Sequence, residues 1–125
     1  MSGPYYTVAE ANAALLVVRE LIATILNTRR DVLKDRAEVW PAIEKAAANG
    51  GNYRASELIY EFETVRRCLK EIRAMGIFVK DVNTGLVDFL SERDGDDIYL
   101  CWKYDEPEVA YWHTLEGGFA GRRRI

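Results

Sequence analysis

The sequence predicts an α+β domain, in which a long antiparallel helical hairpin packs on a small three-stranded antiparallel β-meander with an ordered aromatic C-terminal segment. Apolar residues recur at intervals of three and four as far as Met75, and beyond Gly76 they recur at every second residue. A chain of 125 residues with 49% hydrophobic content is the size of one domain. We therefore expect a single domain over residues 1–125, with the hairpin at 7–75 and the meander and C-terminal motif at 76–125.

The first helix is predicted to begin at Val8. Thr7 and Glu10 have the spacing of a capping box, in which each side chain bonds the other residue's backbone N–H. Pro41 lacks an N–H donor and disfavours helical angles at Trp40, so the helix should kink or end there. The apolar seam that defines it has nine members: Val8, Ala11, Leu15, Val18, Ile22, Ile25, Val32, Val39 and Ile43.

A short helical piece is expected from Pro41 to Ala48, and a second long helix from Tyr53 to Met75. The two long helices would measure about 50 Å and about 35 Å, so part of the longer seam needs another cover. The short piece, the C-terminal half and a second copy of the chain are the candidates, and the mismatch favours a homodimer formed through the helices.

Two arginines interrupt the seam of the first helix. In an antiparallel hairpin, Arg29 and Arg36 would lie near the start of the second long helix, where carboxylates follow one another. The interpretation we favour is charge pairing that fixes the register, and the alternative is an anion-binding pocket between the helices. The carboxylates concerned are Glu57, Glu61 and Glu63.

Three strands are predicted after Gly76: Ile77–Lys80, Leu86–Leu90 and Ile98–Tyr104. The turns between them fall at 83–85 and 93–96. On the third strand, period-two alternation places two sets of side chains on opposite faces, and one face of the meander should pack on the helices. The first set is Ile98, Leu100, Trp102 and Tyr104, and the second is Tyr99, Cys101 and Lys103. The stretch after Pro107 is predicted to be an ordered loop or a single helical turn.

Composition and charge argue against several functional classes. The net charge of −3 and pI near 5.2 disfavour binding to nucleic acid or to an anionic membrane. No apolar run reaches the length of about 20 residues that spans a bilayer, and the start of the chain lacks the pattern of a secretory signal. We expect a cytoplasmic protein in which Cys68 and Cys101 are reduced and serve as small apolar packing residues.

The C-terminal segment 99–124 concentrates aromatic and carboxylate residues and contains the single histidine, His113. With Glu108 and Glu116, His113 could bind a divalent metal, and Asp105 or Cys101 could add a further ligand. The favoured alternative is a structural histidine whose ring nitrogens bond a carboxylate and a backbone carbonyl.

The same segment could instead bind a small molecule or an anion. The predicted set is Trp102, Tyr111, Trp112, His113 and Arg122. A glycine-rich run at 117–121 precedes three arginines, but it lacks the lysine and the helix of a phosphate-binding loop. The glycines more simply allow a tight turn that inserts Phe119, with the arginines solvated or paired with the acidic residues at 94–97.

Two catalytic hypotheses are weaker. Cys101 and His113 could form a thiolate–imidazole pair, although a cysteine in the middle of a strand lacks the positive surroundings that activate a thiol. Asp81 and Asp88 flank the first predicted turn and could act as an acid/base pair, but such residues more often cap turns. We therefore assign no catalytic residue.

Three stretches resemble a bacterial family known as domain of unknown function 2203: YTVAEANAALLVVREL, GIFVKDVNTGLVDF and YLCWKYDEPEVAYWHTLEGGFAGRR. The resemblance covers nearly the whole chain, and this chain has Leu90 where the family pattern has proline. It implies a small cytoplasmic bacterial protein and supplies no activity.

From the residues we favour a homodimeric interaction or assembly module of unassigned biochemical function over an enzyme. The alternatives are a domain that binds a small molecule or an anion, and a metal-dependent enzyme. A cofactor is not assigned, and a divalent metal is the minority hypothesis.

Overall fold

A computed structural model describes residues 5–49 and 56–125, and it has two layers. One layer is helical and contains α1, α2 and α3, and the other is a five-stranded antiparallel sheet in the order β1-β2-β3-β4-β5. The helices are α1 (Val8–Arg36), α2 (Trp40–Asn49) and α3 (Ile59–Ala74). The strands are β1 (Ile77–Asp81), β2 (Leu86–Arg93), β3 (Asp96–Lys103), β4 (Tyr111–Thr114) and β5 (Arg123–Arg124).

The start of α1 is confirmed, and its end comes earlier than predicted. The Glu10 amide donates to the Thr7 hydroxyl at 3.0 Å, and the Thr7 amide donates to the Glu10 carboxylate at 2.9 Å. The helix ends at Arg36, where the backbone turns to φ −141 and ψ 57, and a 3₁₀ turn at Ala37–Val39 leads into α2. Pro41 lies in the first turn of α2, where its missing N–H has no helical partner to lose.

The second long helix is shorter than predicted. A 3₁₀ turn at Ser56–Leu58 precedes α3, which begins at Ile59, and the predicted start at Tyr53 lies outside the described residues. The predicted end is confirmed to within one residue. Gly76, with φ 76, closes the helix by donating from its amide to the carbonyl of Arg73 at 2.9 Å.

One chain covers the seam of α1 from Ala11 to Val32, whereas Val8 at its start is exposed. Its buried residues run from Ala11 to Val32, and α2, α3 and the sheet supply the rest of the same apolar core. The length mismatch therefore does not require a second copy, because two of the three predicted covers are sufficient. Homodimerisation through the helices stays a prediction.

The two seam arginines behave differently. Arg36 pairs with Glu57 at 2.5 Å, as predicted. For Arg29 the predicted carboxylate partner is wrong, because its Nε donates to the side-chain oxygen of Asn83 at 2.8 Å. That oxygen also accepts from the indole of Trp40 at 2.8 Å, and the Asn83 amide donates to Glu44 at 3.1 Å. The turn between β1 and β2 is thus tied to α1 and α2.

The three predicted strands are confirmed with small shifts at their ends, and two further strands follow them. The stretch predicted to be a loop or a single helical turn contains a 3₁₀ turn at Phe119–Gly121, but also β4 and β5. Four and two residues are too few for alternation to be recognised in the sequence. These strands form because β3 offers an open edge, on which Thr114 pairs with Ile98 and Tyr111 with Cys101.

The face of the sheet toward the helices carries the core. The pairs Val87 with Trp102 and Phe89 with Leu100 stand side by side, all of them buried. Ile98 is buried as well, and Tyr104 packs partly buried against the same core, as predicted. None of the helices described is both long and apolar enough to cross a membrane.

Candidate functional site

Three polar side chains are buried on the face of the sheet that points away from the helices. Asp88 on β2 is 2% exposed, Cys101 on β3 is 0% exposed and His113 on β4 is 3% exposed. We call these three residues the outer cluster. Within residues 5–49 and 56–125, they are the group of three potential metal ligands whose donor atoms all lie within 4.8 Å of one another.

Strand pairing brings the outer cluster together. Asp88 lies directly opposite Cys101, and His113 lies opposite Tyr99, two residues before Cys101. Residues that are directly opposite or diagonal on one face of an antiparallel pair have neighbouring side chains. The three side chains therefore come from three adjacent strands, and the backbone hydrogen bonds between those strands fix their positions.

His113 is fixed at both ring nitrogens. Nδ1 lies 2.7 Å from the carbonyl oxygen of Thr114, and Nε2 lies 3.1 Å from each carboxylate oxygen of Asp88. A carbonyl can only accept, so Nδ1 carries a proton and donates it. The predicted pattern of one carboxylate and one backbone carbonyl is found, with Asp88 as the carboxylate.

The two aspartates of the first hairpin have separate roles. Asp81 accepts from the backbone amide of Asn83 at 2.9 Å, which confirms the predicted turn-capping role. For Asp88 the prediction of a turn residue is wrong, because Asp88 lies inside β2 and contacts His113. The partners predicted for His113 from the sequence thus lacked Asp88, although Asp88 joins the cluster.

Cys101 is a protonated thiol. Burial raises its pKa to about 12, with a further contribution from the carboxylate of Asp88, which also accepts the hydrogen bond of the thiol. Charge on Arg122 acts in the opposite direction but is outweighed. A buried thiol with this pKa is a poor nucleophile, and the His113 ring faces Asp88, so the geometry disfavours a thiolate–imidazole pair.

The predicted metal ligands only partly meet. His113 and Cys101 belong to the outer cluster, whereas Glu108 and Glu116 are exposed and lie outside it. Asp105 is also exposed, and its carboxylate pairs with Lys103 at 3.1 Å, which lowers the pKa of Asp105.

The sheet divides the predicted ligand-binding set. Trp102 is buried on the helix side, where the Arg19 guanidinium lies 5.2 Å from its ring. Trp112 packs partly buried against the same core. Along β4, Tyr111 and His113 alternate with Trp112 and so point to the opposite side. These five residues do not line one pocket.

Arg122 lies over the outer side of the sheet. Its guanidinium carbon is 4.0 Å from the ring of Tyr111, which is the strand partner of Cys101, and 4.6 Å from the ring of Phe119. Its Nη2 donates to the carboxylate of Glu106. The predicted pairing with the acidic residues at 94–97 is therefore wrong for Arg122, and Glu106 is a second residue that the sequence analysis missed.

Comparison with known proteins identifies the family. A family model described as uncharacterized conserved protein, DUF2203, matches residues 4–125, so the chain belongs to that family. Neither a curated protein nor a solved structure matches the chain.

Proposed function

We propose that this DUF2203 protein binds one divalent transition-metal ion, of the zinc class, at the outer cluster. The observation that carries the proposal is the convergence of an imidazole, a thiol and a carboxylate, all at most 3% exposed, within 4.8 Å. We also take the protein to be cytoplasmic, where thiols stay reduced and available to a metal.

The donor set indicates the kind of metal. A thiolate and an imidazole are ligands that zinc and similar ions prefer, whereas magnesium and calcium prefer oxygen ligands throughout. Asp88, Cys101 and His113 would supply three ligands to a tetrahedral ion. Three protein ligands leave one position for water or an exogenous ligand, as in catalytic zinc sites rather than structural ones.

The hydrogen bond from His113 to Thr114 supports this use of the ring. A histidine that binds a metal typically donates its other N–H to a carboxylate or a backbone carbonyl, which fixes the ring and its tautomer. Here the Thr114 carbonyl holds Nδ1–H at 2.7 Å, and Nε2 points into the outer cluster. The ring is therefore oriented for a metal without rearrangement.

The number of protons released on metal binding gives the proposal a quantitative test. Without metal, the Nε2–Asp88 contact needs one proton, either on Nε2 or on the carboxyl, because both atoms otherwise only accept. The Cys101 thiol holds a second proton, since its pKa is about 12. A metal ion takes the place of both, so binding near neutral pH should release about two protons per ion.

The test is a titration of tag-free, chelator-treated protein with Zn²⁺, followed by calorimetry in buffers of different ionisation enthalpy. We expect about one ion bound and about two protons released. Co²⁺ provides a second probe, because a cobalt–thiolate bond has its own charge-transfer absorption.

Matched variants assign the ligands. Asp88→Asn, Cys101→Ser and His113→Gln should each weaken binding at least about tenfold, and Cys101→Ser should also abolish the cobalt–thiolate absorption. Cys68→Ser is the control, since Cys68 is an equally buried thiol on α3. Wild-type protein that binds no ion would refute the proposal.

Two further variants separate the outer cluster from the ligand set predicted by sequence. Glu108→Gln and Glu116→Gln should leave affinity unchanged, because both side chains are exposed and outside the cluster. Loss of binding in either variant would favour the site at Glu108, His113 and Glu116 instead.

A further inference from the structure

The outer cluster is buried without a helical layer above it, so side chains must exclude water from it. Phe78 on β1 is the strand partner of Asp88, and the Tyr99 ring lies 5.6 Å from the ring of His113, so these two residues flank the cluster. Further groups come from the C-terminal segment. Tyr111 lies beside Cys101 on the adjacent strand, and the guanidinium of Arg122 lies on the Tyr111 ring. The Phe119 ring lies 4.6 Å from the same guanidinium. We call residues 119–122 the C-terminal cover.

One ion pair joins the C-terminal cover to the body of the protein. The side chains of Arg122 and Glu106 are only 9% and 20% exposed, so the pair is largely shielded from water. Glu106 is held firmly: its carboxylate accepts from the amide of Lys103 at 2.9 Å, and its carbonyl accepts from the indole of Trp102 at 3.0 Å.

The Arg122 side of the ion pair is held less firmly. Backbone hydrogen bonds here are local, from Gly121 to Gly118 at 3.1 Å and from Arg122 to Phe119 at 3.2 Å. Gly118 has φ 62, a conformation that glycine adopts easily, and Phe119 is 49% exposed. Residues 119–122 therefore have only local backbone hydrogen bonds, because the pairing to β4 begins at Arg123, and such segments open at lower free energy than paired strands.

An open pocket of about 220 Å³, with Phe119 in its wall, lies on the same face of the sheet. Its walls include Leu86, two residues before Asp88, and Lys103, two residues after Cys101. Two residues along a strand span about 7 Å. The pocket therefore lies about 7 Å along β2 and β3 from the outer cluster, and Phe119 borders it.

We infer that the C-terminal cover is a gate, latched by the Arg122–Glu106 ion pair, that controls the access of solutes to Asp88, Cys101 and His113. Its purpose rests on the proposed metal site, since a gate over the cluster would set the rates at which an ion enters and leaves. Its existence can be tested without metal, because Cys101 reports its own accessibility.

The experiment measures alkylation of both cysteines in the chelator-treated full chain by a small thiol reagent, with mass spectrometry to separate the two sites. Arg122→Gln and Glu106→Gln should each raise the labelling rate of Cys101 at least about tenfold, because a shielded charge-assisted hydrogen bond is lost. Cys68, buried on α3, should keep its rate in both variants.

Arg124→Gln is the matched control. Its guanidinium also lies on the Tyr111 ring, at 5.6 Å, but Arg124 is exposed. It should change neither rate. Unchanged labelling of Cys101 in Arg122→Gln would overturn the gate, and so would a parallel rise at Cys68, which would signify general unfolding. Either result would leave the metal titration to be judged separately, and failure of that titration would not alter the labelling result.

Discussion

The central side chains on both faces of the sheet are almost fully buried, but different groups cover them on each face. Toward the helices, Phe89 and Trp102 are enclosed by a continuous apolar layer. On the opposite face, Asp88 and His113 are enclosed by neighbouring strands and the C-terminal cover. Buried polar groups are costly unless they are hydrogen-bonded, and replacing a buried ion pair with apolar residues of similar volume often leaves stability unchanged or raises it. The polar face is therefore the one that indicates function.

Removal of an aromatic ring from each face should give the largest difference. Phe89 is 0% exposed and packs edge-on against Tyr6 with ring centroids 5.4 Å apart. We expect Phe89→Ala to lower the free energy of unfolding by about 3–5 kcal/mol, because it leaves a cavity in the core. Urea denaturation measures the change.

Phe78→Ala is the control on the opposite face. Phe78 is 44% exposed, and we expect a loss below about 1 kcal/mol. Equal losses in the two variants would show that the outer face contributes as much apolar stabilisation as the core, contrary to the comparison.

An intermediate effect is expected where the two layers meet. Asn83→Ala removes the oxygen that accepts from Arg29 and Trp40, and it leaves the indole N–H of the buried Trp40 without that acceptor. Loss of a buried hydrogen-bond partner costs about 1–3 kcal/mol, which should appear in the same urea experiment.

Thr84→Ala in the same turn is the control for Asn83. The Thr84 hydroxyl makes an exposed hydrogen bond to Asp81 at 3.2 Å, so the variant should lose less than about 0.5 kcal/mol. If Asn83→Ala were equally mild, the link from this turn to the helices would not be a stabilising one.

Where the apolar period continues over many residues, the sequence predicted the helix or strand correctly. The cap of α1, the end of α3 and the first three strands are each marked by residues close to them in the sequence. The end of α1 at Arg36 is set by a backbone turn beside the Arg36 ion pairs with Glu38 and Glu57, which no periodicity describes. The short strands β4 and β5 exist only because a neighbouring edge pairs with them.

Two of the three residues of the outer cluster could be predicted. Cys101 and His113 stood out by their chemistry, and the role of His113 between a carboxylate and a carbonyl followed from its ring nitrogens. Asp88 had a usable signal as well. The Asp94-Gly95 turn pairs Arg93 on β2 with Asp96 on β3. Five residues before Arg93 and five residues after Asp96, the same register places Asp88 opposite Cys101. Glu106 and Arg122 meet across a loop, and strand register gives no such signal.

The smallest predicted effect is the pH dependence that the outer face adds to stability. The pKa of Cys101 is about 12 in the folded chain and about 9 in the unfolded chain. Between these values the folded state retains a proton that the unfolded state has lost, so stability is full below the lower pKa and falls as pH rises. For metal-free protein we expect a loss of about 1 kcal/mol between about pH 8 and about pH 10. In Cys101→Ala this part of the slope should vanish, as urea midpoints would show, whereas a slope equal to wild type would mean that the thiol is not held protonated by its surroundings.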